Sequence, residues 1–302
     1  MSRGLKFHTL DVFTERRFGG NPLAVFTDGA DLPGEVMQQI AREMNLSETV
    51  FVMPPRDRQA LCRLRIFQPA KELPFAGHPT VGSGYLLARL GRVPLRDGRV
   101  TIQLEEEVGL VPVSIESRGG MPGFVQLTAA ALPSFRDPPA DRATLAAMLR
   151  LSADDLLDDA QGVSCGLPHL FVPVRDRAVL ARADIDVALW RATLGGYWAQ
   201  QVFIFCRDPE LPGSSIRARM YAPESGITED PATGSACAAL GGYLGARAPE
   251  SDGTLRWVVE QGFEMGRPSL LHLEIDKSAG RITAVRVGGH SVLVSEGTLQ
   301  ID

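Results

Sequence analysis

The chain has little of what marks the most easily recognised functional classes. It carries four cysteines in 302 residues, Cys62, Cys165, Cys206 and Cys237, scattered and without a CxxC pair. Neither a zinc ribbon nor a disulfide-stapled scaffold is encoded by such spacing. The thiols read as buried groups of a reducing compartment, and a cytoplasmic protein is expected. No apolar stretch approaches the ~20 residues that cross a bilayer, and the opening MSRGLKFHTLDVF lacks the apolar core and small-residue cleavage site of a secretion signal. Basic charge is not in excess: 31 Lys and Arg against 36 Asp and Glu leave a net charge of -5, with both signs mixed along the chain. Nucleic acid and anionic membrane surfaces need a concentrated basic face, so neither is expected as a partner.

Cofactor signatures are missing too. Of the five histidines, His8, His169, His272 and His290 lie in strand-like or loop contexts without ligand spacing such as HExxH, so no metal is expected. GHPTVGSG opens a helix but lacks both GxGxxG and the acidic residue about 20 positions later that a ribose needs, and no P-loop occurs. No cofactor is expected.

What remains is an ordinary globular composition, 44% hydrophobic and 22% charged, in a chain long enough for one large domain or two of about 150 residues. Short strand-like runs alternate with a few helices. LKFHTLDVF and NPLAVF read as paired strands around a turn at RRFGG, and PGEVMQQIAREMN has helical spacing with Pro33 near its start. TVFVMP and ALCRLRIFQ are strands, a helix starts near Pro79, and RVTIQLE, GLVPVSIES and GFVQLT show apolar alternation between turn residues. The strands are too rich in hairpins for a doubly wound sheet, so the class is mixed α/β.

The second half repeats the order. ETVFV (Glu48–Val52) matches QQVFI (Gln200–Ile204), LRIFQP matches ARMYAP, and each pair precedes a small-residue helix, GHPTVGSGYLL or GSACAALGGYL. A duplicated fold is expected, with coincidence between strand-strand-helix units as the alternative. Each helix should start with free N–H groups and a partial positive charge that attract a carboxylate. Pro79 suits the first helical position with His78 at or beside the N-cap, Ser235 is a good N-cap, and Gly77 and Gly234 allow close approach of a ligand. Taken singly, these could be capped structural helices, and Glu48 or Asp230 a solvated loop carboxylate. Taken together they suggest a slot for a small acid. Glu48 has Gln200 as its repeat-mate, and an amide cannot act as acid or base; the asymmetry suits one proton shuttle.

Four segments, DVFTERRFGGNPLAVF, NLSETVFV, RIFQPAKELPFAGHPT and EDPATGSACAALGGYL, occur in the order found in the PhzF family of phenazine-biosynthesis-like isomerases, which the chain strongly resembles. The resemblance implies a diaminopimelate epimerase-like α+β fold of two pseudo-symmetric domains, each a curled mixed sheet around a central helix, with the active site in the cleft between them. It places the domains at residues 1–118 and 119–289, with the C-terminal strand, 290–302, packing back on the first, and it implies a homodimer. It assigns Glu48 as the acid/base carboxylate, His78 and Asp230 as groups assisting proton movement, and Asn21, Gly77, Gly234 and Ser235 as substrate-binding positions. The related epimerases use one cysteine at each helix start; here those starts offer His78 and Ser235, and Cys237 has no thiol to mirror it. The expected activity is cofactor-independent isomerisation of a small carboxylate by Glu48, the dihydro-hydroxyanthranilate of the phenazine pathway being one substrate type of the family. An epimerase, racemase or dehydratase on the same scaffold, or a catalytically silent small-acid-binding protein, are the alternatives.

Overall fold

The computed structural model describes residues 3–301, which divide into two compact units: the chain up to Ala130 together with the residues from Val287 onward, and Ala131–Arg286. Among the described residues no helix is long and apolar enough to cross a membrane.

In the first unit β1 (Arg3–Val12) and β2 (Asn21–Phe26) form the hairpin expected around RRFGG, followed by α1 (Gly34–Met44), β3 (Glu48–Met53), β4 (Cys62–Phe67) and the short β5 (Glu72–Leu73). Helix α2 (Gly77–Arg89) then leads into the meander β6 (Gly98–Glu106), β7 (Gly109–Arg118) and β8 (Met121–Thr128). The pairing is mixed: β2 runs parallel to β3 and β4 parallel to β6, while β3 and β4 are antiparallel. The C-terminal strand (Ser291–Ile301) pairs antiparallel with β1.

Two helices meet this sheet from opposite faces. Met37, Ile40 and Ala41 of α1 pack on Ala24, Phe26, Phe51 and Phe67, the residues that alternation directs to one side. On the other side α2 is buried almost all round, the pattern of a core helix and not of a surface one. Burying Val81, Leu86 and Leu87 stabilises the unit by roughly 1.5–3 kcal/mol each. Close approach depends on Gly82, where a Cβ would lie 2.6 Å from Leu23 Cδ2 and 2.7 Å from Val12 Cγ2.

The second unit has the same plan with an altered outer layer. It comprises β9 (Ser134–Arg136), α3 (Arg142–Met148), β10 (Gln161–Ser164), β11 (Pro168–Pro173), α4 (Arg177–Arg182), α5 (Val187–Leu194), β12 (Gln201–Cys206), β13 (Ile216–Ala222) and β14 (Ile227–Asp230). Then come α6 (Gly234–Arg247), β15 (Gly253–Gln261), β16 (Ser269–Ser278) and β17 (Arg281–Gly289), the last residues of which, from Val287, belong to the first unit. Again β11 is parallel to β12 and β13 to β15, and β12 and β13 are antiparallel. Helix α6 is the buried one, and α3, α4 and α5 together cover the outer face that α1 covers alone in the first unit. The duplication expected from the sequence is therefore present in topology and in register.

The register corrects one expected equivalence. Arg65 on β4 and Arg219 on β13 are equivalent; Phe51 stands opposite Arg65, and Ile204 opposite Arg219. Phe51 thus corresponds to Ile204, both on the outer face, and Glu48 corresponds to Gln201 instead of Gln200. Matching Val-Phe with Val-Phe in the sequence slips the strands by one residue, and a slip of one turns every side chain to the wrong face.

Candidate active site

In the first unit the candidate residues gather where β3 begins and α2 starts. Glu48 opens β3 with its side chain on the α2 side, alternating with outward-facing Thr49 and Phe51, and it is 8% exposed. Its cross-strand partner Leu23 is the residue that packs on Gly82 of α2. Gln68, just beyond β4, donates from Nε2 to Glu48 Oε1 at 3.1 Å. His78 Nε2 lies 3.4 Å from Glu48 Oε2 without closing a hydrogen bond. A carboxylate at that distance favours the imidazolium, but burial opposes it and wins, pushing the His78 pKa down to about 3. The contact is therefore between a carboxyl group and a neutral imidazole, not an ion pair. Asn21 is fully buried at the first position of β2.

The helix starts differ from the expected capping. Ala76 is the N-cap of α2 and Thr233 that of α6, neither making a side-chain cap bond; Gly77 and Gly234 are the first helical residues. His78 and Ser235 stand at the second helical position and Pro79 at the third. Extended Ala76 and Thr233 already provide the first helical carbonyls, to Thr80 N at 3.4 Å and Cys237 N at 3.0 Å. The Thr233 hydroxyl is committed to Asp230, so it does not compete for the first-turn amides of α6. The first-turn amides carry the positive end of each helix.

In the second unit Asp230 ends β14 and is buried. Thr233 Oγ1 donates to Asp230 Oδ2 at 2.6 Å. Gln261, at the end of β15, donates to the Asp230 carbonyl at 2.8 Å and to Thr233 Oγ1 at 3.0 Å, and accepts from Thr233 N at 3.0 Å. Since Gln261 donates to the threonine oxygen, the single hydroxyl hydrogen is directed at the aspartate. Ser235 is buried on the first turn of α6, next to Gly234. Asp230 holds the position of Leu73 in the first unit, each standing opposite the same position of its neighbouring strand, Met220 or Ile66.

The structure thus joins Glu48 with His78 in one unit and places Asp230, Gly234 and Ser235 on one loop-helix junction in the other. Gln68, Thr233 and Gln261 were not singled out from the sequence. Gln68 could have been, since it follows Ile66 by two residues and so faces the same side. Cys237, the fourth residue of α6, is buried with its thiol pKa pushed up, which leaves it a poor base. Among the described residues no group of His, Cys, Asp and Glu side chains is placed to hold a metal ion. A cavity of about 570 Å³ lined by Lys6, His8, Asp28, Arg92 and Glu296 contains none of the candidate residues.

Comparison with known proteins agrees with the fold. The family model described as phenazine biosynthesis-like protein matches residues 10–297. An uncharacterized isomerase of Mesorhizobium japonicum is 39% identical over 297 residues, covering 96% of this chain and 97% of its own. The trans-2,3-dihydro-3-hydroxyanthranilate isomerase of Pseudomonas aeruginosa is 33% identical over 301 residues, covering 97% and 98%. The crystal structure of a PhzF-family phenazine biosynthesis protein of Bacillus anthracis superposes with a TM-score of 0.88 at 25% identity, covering 99% of this chain and all of that one. With matches of this extent in sequence and in fold, the chain belongs to the PhzF family of phenazine biosynthesis-like isomerases.

Proposed function

We propose that the protein moves a proton on a small carboxylate substrate without a cofactor, with Glu48 as the general acid and base. One observation carries the reading: a buried carboxyl group, oriented by Gln68 and faced by a neutral His78, stands where the equivalent strand of the second unit has Gln201. As carboxylate, Glu48 removes a proton from a carbon activated by an adjacent unsaturated or carboxyl group; as acid, it returns a proton at another carbon. Gln68 leaves one Glu48 oxygen directed elsewhere, and neutral His78 offers a hydrogen-bonding partner for a shifting proton without adding charge. The amides at Gly77 and Gly234 suit a substrate carboxylate and any negative charge that develops. General acid–base catalysis contributes about 10²–10⁴-fold, so positioning and electrostatics supply the remainder.

Within the proposal Asp230 assists proton movement, its oxygen held by Thr233, and Asn21 and Ser235 contact substrate. The reading extends to a cytoplasmic homodimer, as the family resemblance implies; light scattering at micromolar concentration measures the assembly.

The test is proton NMR in deuterated water with trans-2,3-dihydro-3-hydroxyanthranilate, the substrate in the name of the Pseudomonas relative, for wild type and Glu48→Gln. Rearranged double bonds with wild type alone identify Glu48 as the shuttle and this compound as a substrate. If neither protein acts on it, a panel of small carboxylic and amino acids is followed by deuterium incorporation. Exchange by a folded Glu48→Gln protein at the wild-type rate would remove Glu48 from the mechanism.

A further inference from the structure

Thr80, on the first turn of α2, has one hydroxyl hydrogen and two close oxygen neighbours. Its Oγ1 lies 2.7 Å from the Ala76 carbonyl oxygen and 2.5 Å from Glu106 Oε1. If Glu106 were a carboxylate, both neighbours would only accept, and the one hydrogen would have to be shared between two contacts that each have the length of a full hydrogen bond. One proton on Glu106 resolves the geometry: the carboxylic acid donates to Thr80, and Thr80 donates to Ala76. The surroundings agree. Glu106 is buried at the end of β6, and its second oxygen meets no hydrogen-bond partner, which is costly for an ionised group and mild for a carboxyl C=O. The second unit has a neutral side chain at the same place. The β4–β6 and β13–β15 registers make Gln261 the equivalent of Glu106, and Gln261 bonds Thr233, the N-cap residue of α6, as Glu106 meets Thr80 on the first turn of α2.

We propose that Glu106 is a positioning residue that works as a neutral carboxylic acid: through Thr80 it closes the first turn of α2 and so seats His78 beside Glu48. The inference rests on the reading of Glu48 and His78 given above, but the protonation of Glu106 is testable without it. Burial pushes the Glu106 pKa up to about 8. The neighbouring groups leave it the titrating one near neutrality. On β4, Cys62 has its pKa raised to about 12 by burial, and Arg63 is paired with Glu107 at 3.8 Å. On its own strand Glu105 is turned away to the Arg56 and Asp57 amides, and on α2 His78 is already neutral. The paired strand β7 brings Gly109 opposite Glu106.

The linkage has a definite sign. Glu106 is more basic folded than unfolded, so the folded protein holds the extra proton between about pH 4.5 and 8. Stability from this group is full below that window and is lost as pH rises through it. Glutamine mimics the neutral acid at every pH. The experiment compares wild type, Glu106→Gln, Glu106→Ala and Thr80→Val by thermal midpoint from pH 5 to 9, and follows the His78 ring resonances by NMR over the same range. Glu106→Gln should match wild type near pH 5 and exceed it increasingly toward pH 8. The His78 resonances should shift through pH 8 in wild type and stay constant in Glu106→Gln. Infrared difference spectra between those two proteins at pH 6 should show the carbonyl stretch of a protonated carboxylic acid. In turnover, Glu106→Ala and Thr80→Val should lower kcat about tenfold with a smaller change in KM, and Glu106→Gln should restore it. A carboxylate band at pH 6, or parallel midpoint curves, would overturn the protonation. An unshifted His78 and an unchanged kcat in a folded Thr80→Val protein would overturn the positioning role. Failure of the Glu48 reading is separate, because it appears only in the Glu48→Gln exchange assay.

Discussion

The two units are built alike down to single ion pairs. Arg65 on β4 holds Glu72 through two bonds of 2.7 Å, and Arg219 on β13 holds Glu229 through bonds of 2.8 and 2.9 Å. Glu105 near the end of β6 accepts from the Arg56 and Asp57 amides, as Glu260 near the end of β15 accepts from those of Glu210 and Leu211. Beside these shared supports, the polar residues around the buried helix differ at almost every equivalent position. Glu48 faces Gln201 in this correspondence, Gln68 faces Ala222, Leu73 faces Asp230, Ala76 faces Thr233, His78 faces Ser235 and Glu106 faces Gln261. The duplicated frame accounts for the packing, and the departures from it are where the buried polar side chains of the two units differ. Each unit has kept a different carboxylate: on the first strand after the outer layer in one unit, on the short strand before the buried helix in the other.

The strongest way to break that comparison is at Glu48. Replacement by glutamine makes the first unit resemble the second, and turnover should fall about 10³-fold, within the range for a lost general acid–base group. Adding Gln201→Glu should not recover activity, because Ala222 cannot orient the new carboxyl as Gln68 orients Glu48; steady-state kinetics of the double variant check this. Asp230→Asn should lower kcat about 10- to 100-fold, since the amide keeps an acceptor for Thr233 but loses the charge; Thr233→Val should have a smaller effect in the same assay.

The shared supports sharpen the comparison in stability. Arg219 is nearly buried and also donates to the carbonyls of Leu180, Ala181 and Ala183, whereas the Glu72 side chain of the first-unit pair is 40% exposed. Arg219→Ala should therefore cost about 3 kcal/mol and Arg65→Ala about 1 kcal/mol or less, as read from urea unfolding. The buried histidines give the smallest effect. His78 and His169, one in each unit, have pKa values pushed down to about 3 by burial. The unfolded chain takes up these protons first, so stability should fall as pH drops from about 6.5 toward 3, by up to about 1.4 kcal/mol per pH unit for each histidine. His169→Asn should flatten this acid limb without changing the alkaline one, as followed by thermal midpoint against pH.

Much of the frame was legible in the sequence because it depends on local rules. Alternation marked β1, β2, β3, β4 and β6, helical spacing marked α1, and the small-residue stretches marked α2 and α6. The helices α3 and α4 were not legible: each is under two turns long and is held by tertiary packing on the outer face of the sheet. Within the candidate site, motifs pointed to Glu48, His78, Asp230 and Ser235, but not to Gln68, Gln261 or Glu106. An isolated Gln or Glu near a strand end reads as exposed until its strand neighbours are known.

By itself, then, the sequence determined the duplication, the apolar faces and the residue types available for proton transfer, since these follow from period, composition and motif. Only the tertiary structure decided that Glu48 corresponds to Gln201, that His78 lies beside Glu48 with its pKa pushed down by burial, and that the Thr80 hydroxyl meets both Ala76 and the buried Glu106. Register, burial and hydrogen-bond direction depend on which distant segments are brought together, and no local rule along the chain contains them.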